Sequence, residues 1–330
     1  SQNKSYLRIL DAGTGDGTIN ANIIKSFHRY HPYTSLLITG KEISYEDLKN
    51  TLEKMPDRFV EHPNLLVTMT NVKFSELDLI ESASKINNKK IREFNLILKS
   101  DNSYDFNSQI TGNKLGNFIK KYWGIEIDNK GRTSYSNPCI VRIYREDNSR
   151  HLKQFLNNDY KNNNYDLIIA SQAYRAASSV KIKVNNVIGP LMRLLNKSGK
   201  LLVTHSYGGK SIQRVLKTAF KEKEAFPNNA KDIIDYLKNN PTGENNLYNF
   251  SNPVSYNFRF KKAPDQTVTE LFGHNTDAKW ANILYVGQIP EKDIQLIEKN
   301  PRLYNKVKRT IENSGNIEFN NELFTITKIR

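Results

Sequence analysis

"RILDAGTGDGTINANII", residues 8–24, decides the fold. An apolar run ends in the acid Asp11, Gly13, Gly15 and Gly17 follow at alternate positions, and apolar residues then recur at helical spacing. A strand that stops at a glycine turn and restarts as a helix gathers backbone N–H groups and a helix N-terminus in one place, where a ligand can approach the main chain. The spacing narrows the choice of ligand. A dinucleotide fingerprint sets glycines at the first, third and sixth positions, whereas here Thr18 occupies the sixth. Residues 13–18 carry no Gly-Lys-Ser/Thr, which excludes a triphosphate loop at this turn. Asp11, two residues ahead of the first glycine, would repel a pyrophosphate and attract an ammonium or sulfonium.

Outward from this turn the chain alternates strand and helix patterns. Residues 6–13 read as a strand, 18–30 as a helix, 35–42 as a strand, 44–55 as a helix with Ser44 as cap and Asp47 three residues on, and 64–71 as a third strand. The pattern returns with a strand at 165–171, a helix at 184–195, a turn at 196–200 and a strand at 201–206. Runs such as Leu-Ile-Ile-Ala lack polar alternation, as strands buried on both faces do. The alternation predicts an α/β fold, a doubly wound and mostly parallel sheet of seven-stranded type with helices on both faces.

Residues 73–162 exceed what a strand-helix-strand crossover needs. They predict an α+β insertion between the third and fourth strands, with a helix over 107–123 and a hairpin over 124–144 turning at Asp128–Gly131. The core is then 1–72 and 163–330. Helices are expected over 209–240, antiparallel strands at 255–262 and 281–289, and a terminal hairpin over 315–330 turned at Asn320-Asn321.

The net charge is +15, from 49 Lys and Arg against 34 Asp and Glu. Lys and Asn are spread along the whole chain, without an RNA-binding signature or a dense cationic run interleaved with aromatics. No stretch approaches the roughly 20 apolar residues of a membrane span, and no signal peptide is evident, so a cytoplasmic protein is expected. The lone Cys139 excludes an internal disulfide and reads as a buried small hydrophobe, and no Cys/His cluster has metal-ligand spacing.

Asp11-Ala12-Gly13-Thr14-Gly15-Asp16-Gly17 resembles the first motif of class I S-adenosylmethionine-dependent methyltransferases, and further elements follow in that family's order. The resemblance implies S-adenosyl-L-methionine as cofactor, held by Asp11, Gly13, Gly15 and Gly17. It places Glu42 on the ribose hydroxyls, Thr70 and Asn71 at the adenine, and Ser171 beside the cofactor at the end of the fourth strand. Side chains just after that strand project towards the methyl group in the family. Tyr174 there, and His205 at the end of the fifth strand where relatives present acceptor-side groups, are the candidate catalytic residues, with Gln172, Arg175 and Tyr207 the candidate acceptor contacts. Asn275 and Trp280 are further candidates to line the acceptor pocket.

Ser171-Gln172-Ala173-Tyr174 keeps the aromatic of the Asn/Asp-Pro-Pro-aromatic motif found in enzymes that methylate exocyclic amines of nucleic acids, but lacks both prolines. The resulting expectation is a methyltransferase for a small-molecule acceptor, with 73–162 as a lid carrying Tyr104, Phe106, Tyr122, Trp123 and Tyr135. The alternatives are a tRNA, rRNA or DNA methyltransferase and a non-catalytic adenosyl-binding protein.

Overall fold

The computed structural model of the chain describes residues 6–80, 83–127, 133–148, 164–174, 178–219, 226–239, 247–261, 299–314 and 316–329. It divides into two compact units, one of residues 1–170 with 190–201 and 330, the other of residues 171–189 with 202–329. Strand 281–289, Asn275, Trp280 and Arg175 lie outside the described residues.

The first unit opens with β1 (Tyr6–Ala12), α1 (Thr18–Tyr30), β2 (Ser35–Lys41), α2 (Tyr45–Glu53), α3 (Met55–Glu61) and β3 (Leu65–Thr70). Ser44 caps α2 as its sequence suggests, its Oγ accepting from Asp47 N at 3.2 Å. After a 3-10 turn at Phe74–Leu79 come the short pair β4 (Lys85–Ile86) and β5 (Lys89–Lys90), then β6 (Arg92–Leu98), α4 (Ser103–Ile110), α5 (Asn113–Tyr122), β7 (Ile125–Ile127), β8 (Thr133–Tyr135), β9 (Cys139–Arg145) and β10 (Tyr165–Ser171). Strands β10, β1, β2 and β3 lie side by side and parallel, with Ile9 opposite Leu167 and Ile38, and Ile38 opposite Val67. This is the Rossmann-like α/β arrangement that the alternation predicts.

Residues 73–148 contribute strands to the main sheet. β9 pairs antiparallel with β3, and β6 pairs parallel with β9, so the segment widens the first unit's sheet by two strands. Phe106 and Trp123 pack in one core with Ile9, Ile24, Phe59 and Met69, and Tyr135 is also buried, whereas Tyr104 is exposed. Aromatic residues that apolar pattern alone would offer to a roof are the material of this core, which gains more from removing them from water. The helix expected over 107–123 is broken at Thr111-Gly112 into α4 and α5. β7 and β8 form the expected ladder, with its turn outside the described residues, while 139–145 leave that hairpin for the main sheet.

In the second unit, a helix begins at Ser179, whose Oγ accepts from Ile182 N, and passes through a π turn at Val184–Ile188. β11 (Leu195–Gly208) runs through the turn expected at 196–200, where Ser198 has a φ of 64°. Helices Lys210–Ala219 and Ala230–Asn239 follow, then β12 (Tyr248–Phe250), β13 (Val254–Lys261), helix Pro301–Ser314 and β14 (Asn316–Lys328).

β14 pairs antiparallel with β13 and with β12. The terminal hairpin is therefore corrected: Asn320 and Asn321 sit mid-strand, opposite Asn257 and Tyr256. Asn-Asn makes a tight turn where its polar side chains have no better partner. Here buried Asn321 accepts from Ser206 Oγ at 2.6 Å. Among the described residues no helix is long and apolar enough to cross a membrane.

Candidate cofactor site

The glycine loop leaves β1 at Ala12 with three departures into the left-handed region at alternate positions, Gly13 at φ 92°, Gly15 at 55° and Gly17 at 78°. Only glycine adopts these angles without strain, so the alternate spacing is what folding the loop back on itself requires. Each turn is then pinned. Gly13 N and Thr14 N donate to Lys41 O at 3.2 and 3.0 Å, seating the loop on the end of β2. Gly40 makes room, since a Cβ there would lie 2.8 Å from Thr14 Oγ1 and 2.7 Å from Met69 Sδ.

From the other side, Thr51 Oγ1 donates to Gly15 O at 3.0 Å and Lys54 Nζ to Asp16 O at 2.6 Å. Asp16 in turn accepts from Thr18 N at 3.1 Å, closing the first turn of α1. Thr51 and Lys54 brace the loop, and sequence reading missed them. They lie on α2 and just beyond it, far from the loop in sequence, and nothing in a helical pattern marks them.

Two acids stand at this loop. Glu42 accepts from Gly15 N at 2.8 Å through Oε2, and from Ile43 N and Ser44 N at 2.7 and 2.8 Å through Oε1. Asp11 is fully buried, and among the described residues neither of its carboxylate oxygens has a hydrogen-bond partner. Burial, with the neighbouring Glu42 charge, pushes its carboxyl up to about 7. Beside these acids Gly15 faces open space, with no atom within 4 Å of where a Cβ would sit.

Thr70 and Asn71 are both buried at the end of β3, with their side chains committed to the added strand. Thr70 Oγ1 donates to Cys139 O at 2.9 Å. Asn71 Nδ2 donates to Asn137 O at 2.9 Å while its Oδ1 accepts from Cys139 N at 2.8 Å. Cys139 is buried as expected, and burial pushes its thiol up to about 12.

The candidates after the fourth strand belong to the second unit. Ser171 and Tyr207 are half-buried. Gln172 has a φ of 53°, and its side chain bonds Ser206 in both directions, Nε2 to Oγ at 3.1 Å and Oε1 from N at 3.3 Å. Tyr174 and His205 are brought together, ring centroids 5.5 Å apart, but enclosed, with 6% and 1% of their surface exposed. His205 Nε2 lies 3.5 Å from Glu322 Oε2, and burial still holds the imidazole below its ordinary value. Lys183, which sequence reading passed over, is fully buried with its ammonium 5.4 Å from the Tyr174 ring centroid. No cluster of metal ligands occurs among the described residues.

No known family model matches the chain, and no curated protein does. Similar solved structures are methyltransferases. A protein assigned as a sarcosine dimethylglycine methyltransferase from Galdieria sulphuraria is 13% identical with a TM-score of 0.38, over 98% of this chain and 79% of that one. An rRNA methyltransferase from Streptomyces viridochromogenes is 11% identical with a TM-score of 0.23, over 62% and 67% of the two chains. A phosphoethanolamine N-methyltransferase of Haemonchus contortus, in complex with S-adenosylhomocysteine, is 9% identical with a TM-score of 0.25, over 98% and 95%. Likeness this remote carries no conclusion about chemistry, which has to come from the loop itself.

Proposed function

We propose that this protein is an S-adenosylmethionine-dependent methyltransferase that binds its cofactor over the glycine loop of the first unit and methylates a small-molecule acceptor. The observation that carries the reading is Asp11, a buried carboxylate without a hydrogen-bond partner among the described residues, beside a second acid. Burying such a group costs several kcal/mol unless a partner compensates it. A cationic ligand is that partner, and the open side of Gly15 gives it access to the main chain.

When bound, the cofactor supplies a methyl group on a sulfonium, open to in-line displacement by an acceptor lone pair. The chain's own task is to hold and orient. Asp11 offsets the ligand's positive charge, and Gly13, Gly15 and Gly17 bring the backbone close. Thr51 and Lys54 keep the loop in place before binding, which lowers the ordering cost. Three of the four acceptor positions of Glu42 are occupied by N–H groups, leaving Oε2 one position for a ribose hydroxyl.

With the Thr70 and Asn71 side chains engaged, adenine contact at β3 falls to the main chain. Within the second unit Tyr174 and His205 form an enclosed pair, and burial holds the His205 imidazole below its ordinary value. Displacement at a sulfonium needs alignment and exclusion of water more than a base. The test is calorimetric titration of S-adenosylmethionine and S-adenosylhomocysteine into the wild type and Asp11→Asn. Binding to the wild type, at least tenfold weaker in the variant, supports the proposal; equal affinities, or no binding to the folded wild type, overturn it.

A further inference from the structure

In the second unit, helices Lys210–Ala219 and Pro301–Ser314 pack along each other and leave a cleft of about 530 Å³. Its lining is Lys210, Gln213, Arg214, Lys217, Thr218 and Lys306, four cations and two neutral polar residues without an acid. Lys210, Arg214 and Lys217 recur at i, i+4 and i+7, which sets them on one face of their helix. The opposite face is buried through Ile212, Val215, Leu216 and Ala219, so that face cannot turn away from the cleft.

None of the four cations has an ion-pair partner among the described residues. Elsewhere on the described surface, Lys54 pairs with Asp16, Arg58 with Glu61, Lys89 with Glu126 and Lys99 with Glu146. Neither helix has an acid in its first turn, and Lys210 stands at the positive end of its helix dipole. Collecting unpaired like charges in this way opposes folding slightly, and an anion in the cleft reverses the sign.

We propose that this cleft docks the phosphate backbone of a nucleic-acid strand. At 1.5 Å rise per residue the three cations of one helix extend over about 10 Å, with Lys306 facing them from the other. A single phosphate group is too short to meet all of these charges, whereas successive phosphates of one strand meet them in turn. The lining offers no aromatic platform for bases, so recognition is by charge and tolerant of sequence. The net charge of +15 draws such a strand to the protein, and the cleft gives it a place.

The test is fluorescence anisotropy of a labelled 12-nucleotide single-stranded RNA of mixed sequence, across a series of salt concentrations. Wild-type affinity should fall linearly on logarithmic axes as salt rises. In Arg214→Gln/Lys217→Gln the slope should become shallower by about 1.4, at about 0.7 for each phosphate that is no longer neutralised, with affinity reduced at least tenfold at low salt. Lys25→Gln/Lys114→Gln removes the same charge from exposed sites in the first unit and should keep the wild-type slope.

Equal losses in the two double variants would reduce the effect to net charge and overturn the proposal. So would absence of RNA binding, or tripolyphosphate competing as well as RNA at equal phosphate concentration, which would make the cleft a site for small polyphosphates. Cofactor titration of the same variants should be unchanged, which separates this result from the first unit's chemistry.

Discussion

The backbone N–H of Gly15 donates to Glu42 Oε2 at 2.8 Å, so the tip of the glycine loop is held by the acid that would also meet the ribose. The same carboxylate takes Ile43 N and Ser44 N. Glu42→Ala therefore leaves three N–H groups without their acceptor, and water replaces it only in part at a buried position. The expected outcome is a double loss: stability lower by roughly 2 kcal/mol in urea denaturation, and cofactor affinity down at least tenfold. An affinity loss with unchanged stability would mean that the loop holds its shape without Glu42.

Asp11 gives a pH dependence whose sign is determined. Its carboxyl is raised from 3.8 to about 7 in the folded chain, so the folded state holds the proton more tightly than the unfolded one. That contribution to stability is complete below about pH 4, declines as pH rises to 7 and is gone above it. Asp11→Asn should accordingly gain on the wild type between pH 4 and 7 and keep a constant advantage beyond. The rise from 3.8 to about 7 corresponds to about 4 kcal/mol. Cofactor affinity should move the opposite way in the wild type, rising through pH 7 as the carboxylate becomes available to a cation. Denaturation curves and calorimetry at pH 5, 6, 7 and 8 read both, and a wild type whose cofactor affinity is flat across this range would remove Asp11 from the cation's site.

The glycines separate fold from ligand. At Gly15 a Cβ meets no atom within 4 Å, so Gly15→Ala carries only the strain of φ 55°, about 1 to 2 kcal/mol, while filling the approach to the backbone. At Gly17 the added carbon would lie 2.7 Å from Thr51 Cα and Oγ1, on top of a φ of 78°. Gly15→Ala should stay folded and lose cofactor, whereas Gly17→Ala should lower Tm more than Gly15→Ala does. Thermal melts with and without S-adenosylhomocysteine distinguish the two; Gly15→Ala stabilised by the ligand as much as the wild type would place the cofactor elsewhere.

These contrasts show what was legible in the sequence. The strand-turn-helix at 8–24 could be read because its signals are local: an apolar run, glycines where φ must be positive, a cap at Ser44. Long-range partners were not legible. Asn71 is as polar in an adenine contact as in a clamp on Asn137 and Cys139, and only the pairing of β9 with β3 decides between them. β6 begins with Arg92 and Glu93 and alternates in exposure, so it lacked the apolar run that marked the inner strands. The aromatics at 106 and 123 announced burial without saying against what, and a lid and a sheet extension have the same composition.

Lys183 is where local reading and structure diverge most. A lysine in a helical pattern reads as solvated, yet its ammonium is fully enclosed, without a hydrogen-bond partner among the described residues, against the face of Tyr174. Burial lowers it from 10.5 to about 8, partly countered by Asp232. Because the folded value lies below the unfolded one, the charged form opposes folding at pH 7, the penalty shrinks between pH 8 and 10.5, and it vanishes above. Lys183→Met keeps the length of the side chain and removes the charge, so it should stabilise the chain at pH 7 by about 3 kcal/mol and by little at pH 10.5. Urea midpoints at the two pH values measure the difference. A variant less stable than the wild type at pH 7 would show that the ammonium has a partner strong enough to outweigh its burial, and the interior around Tyr174 and His205 would then be a charged network held together by Lys183.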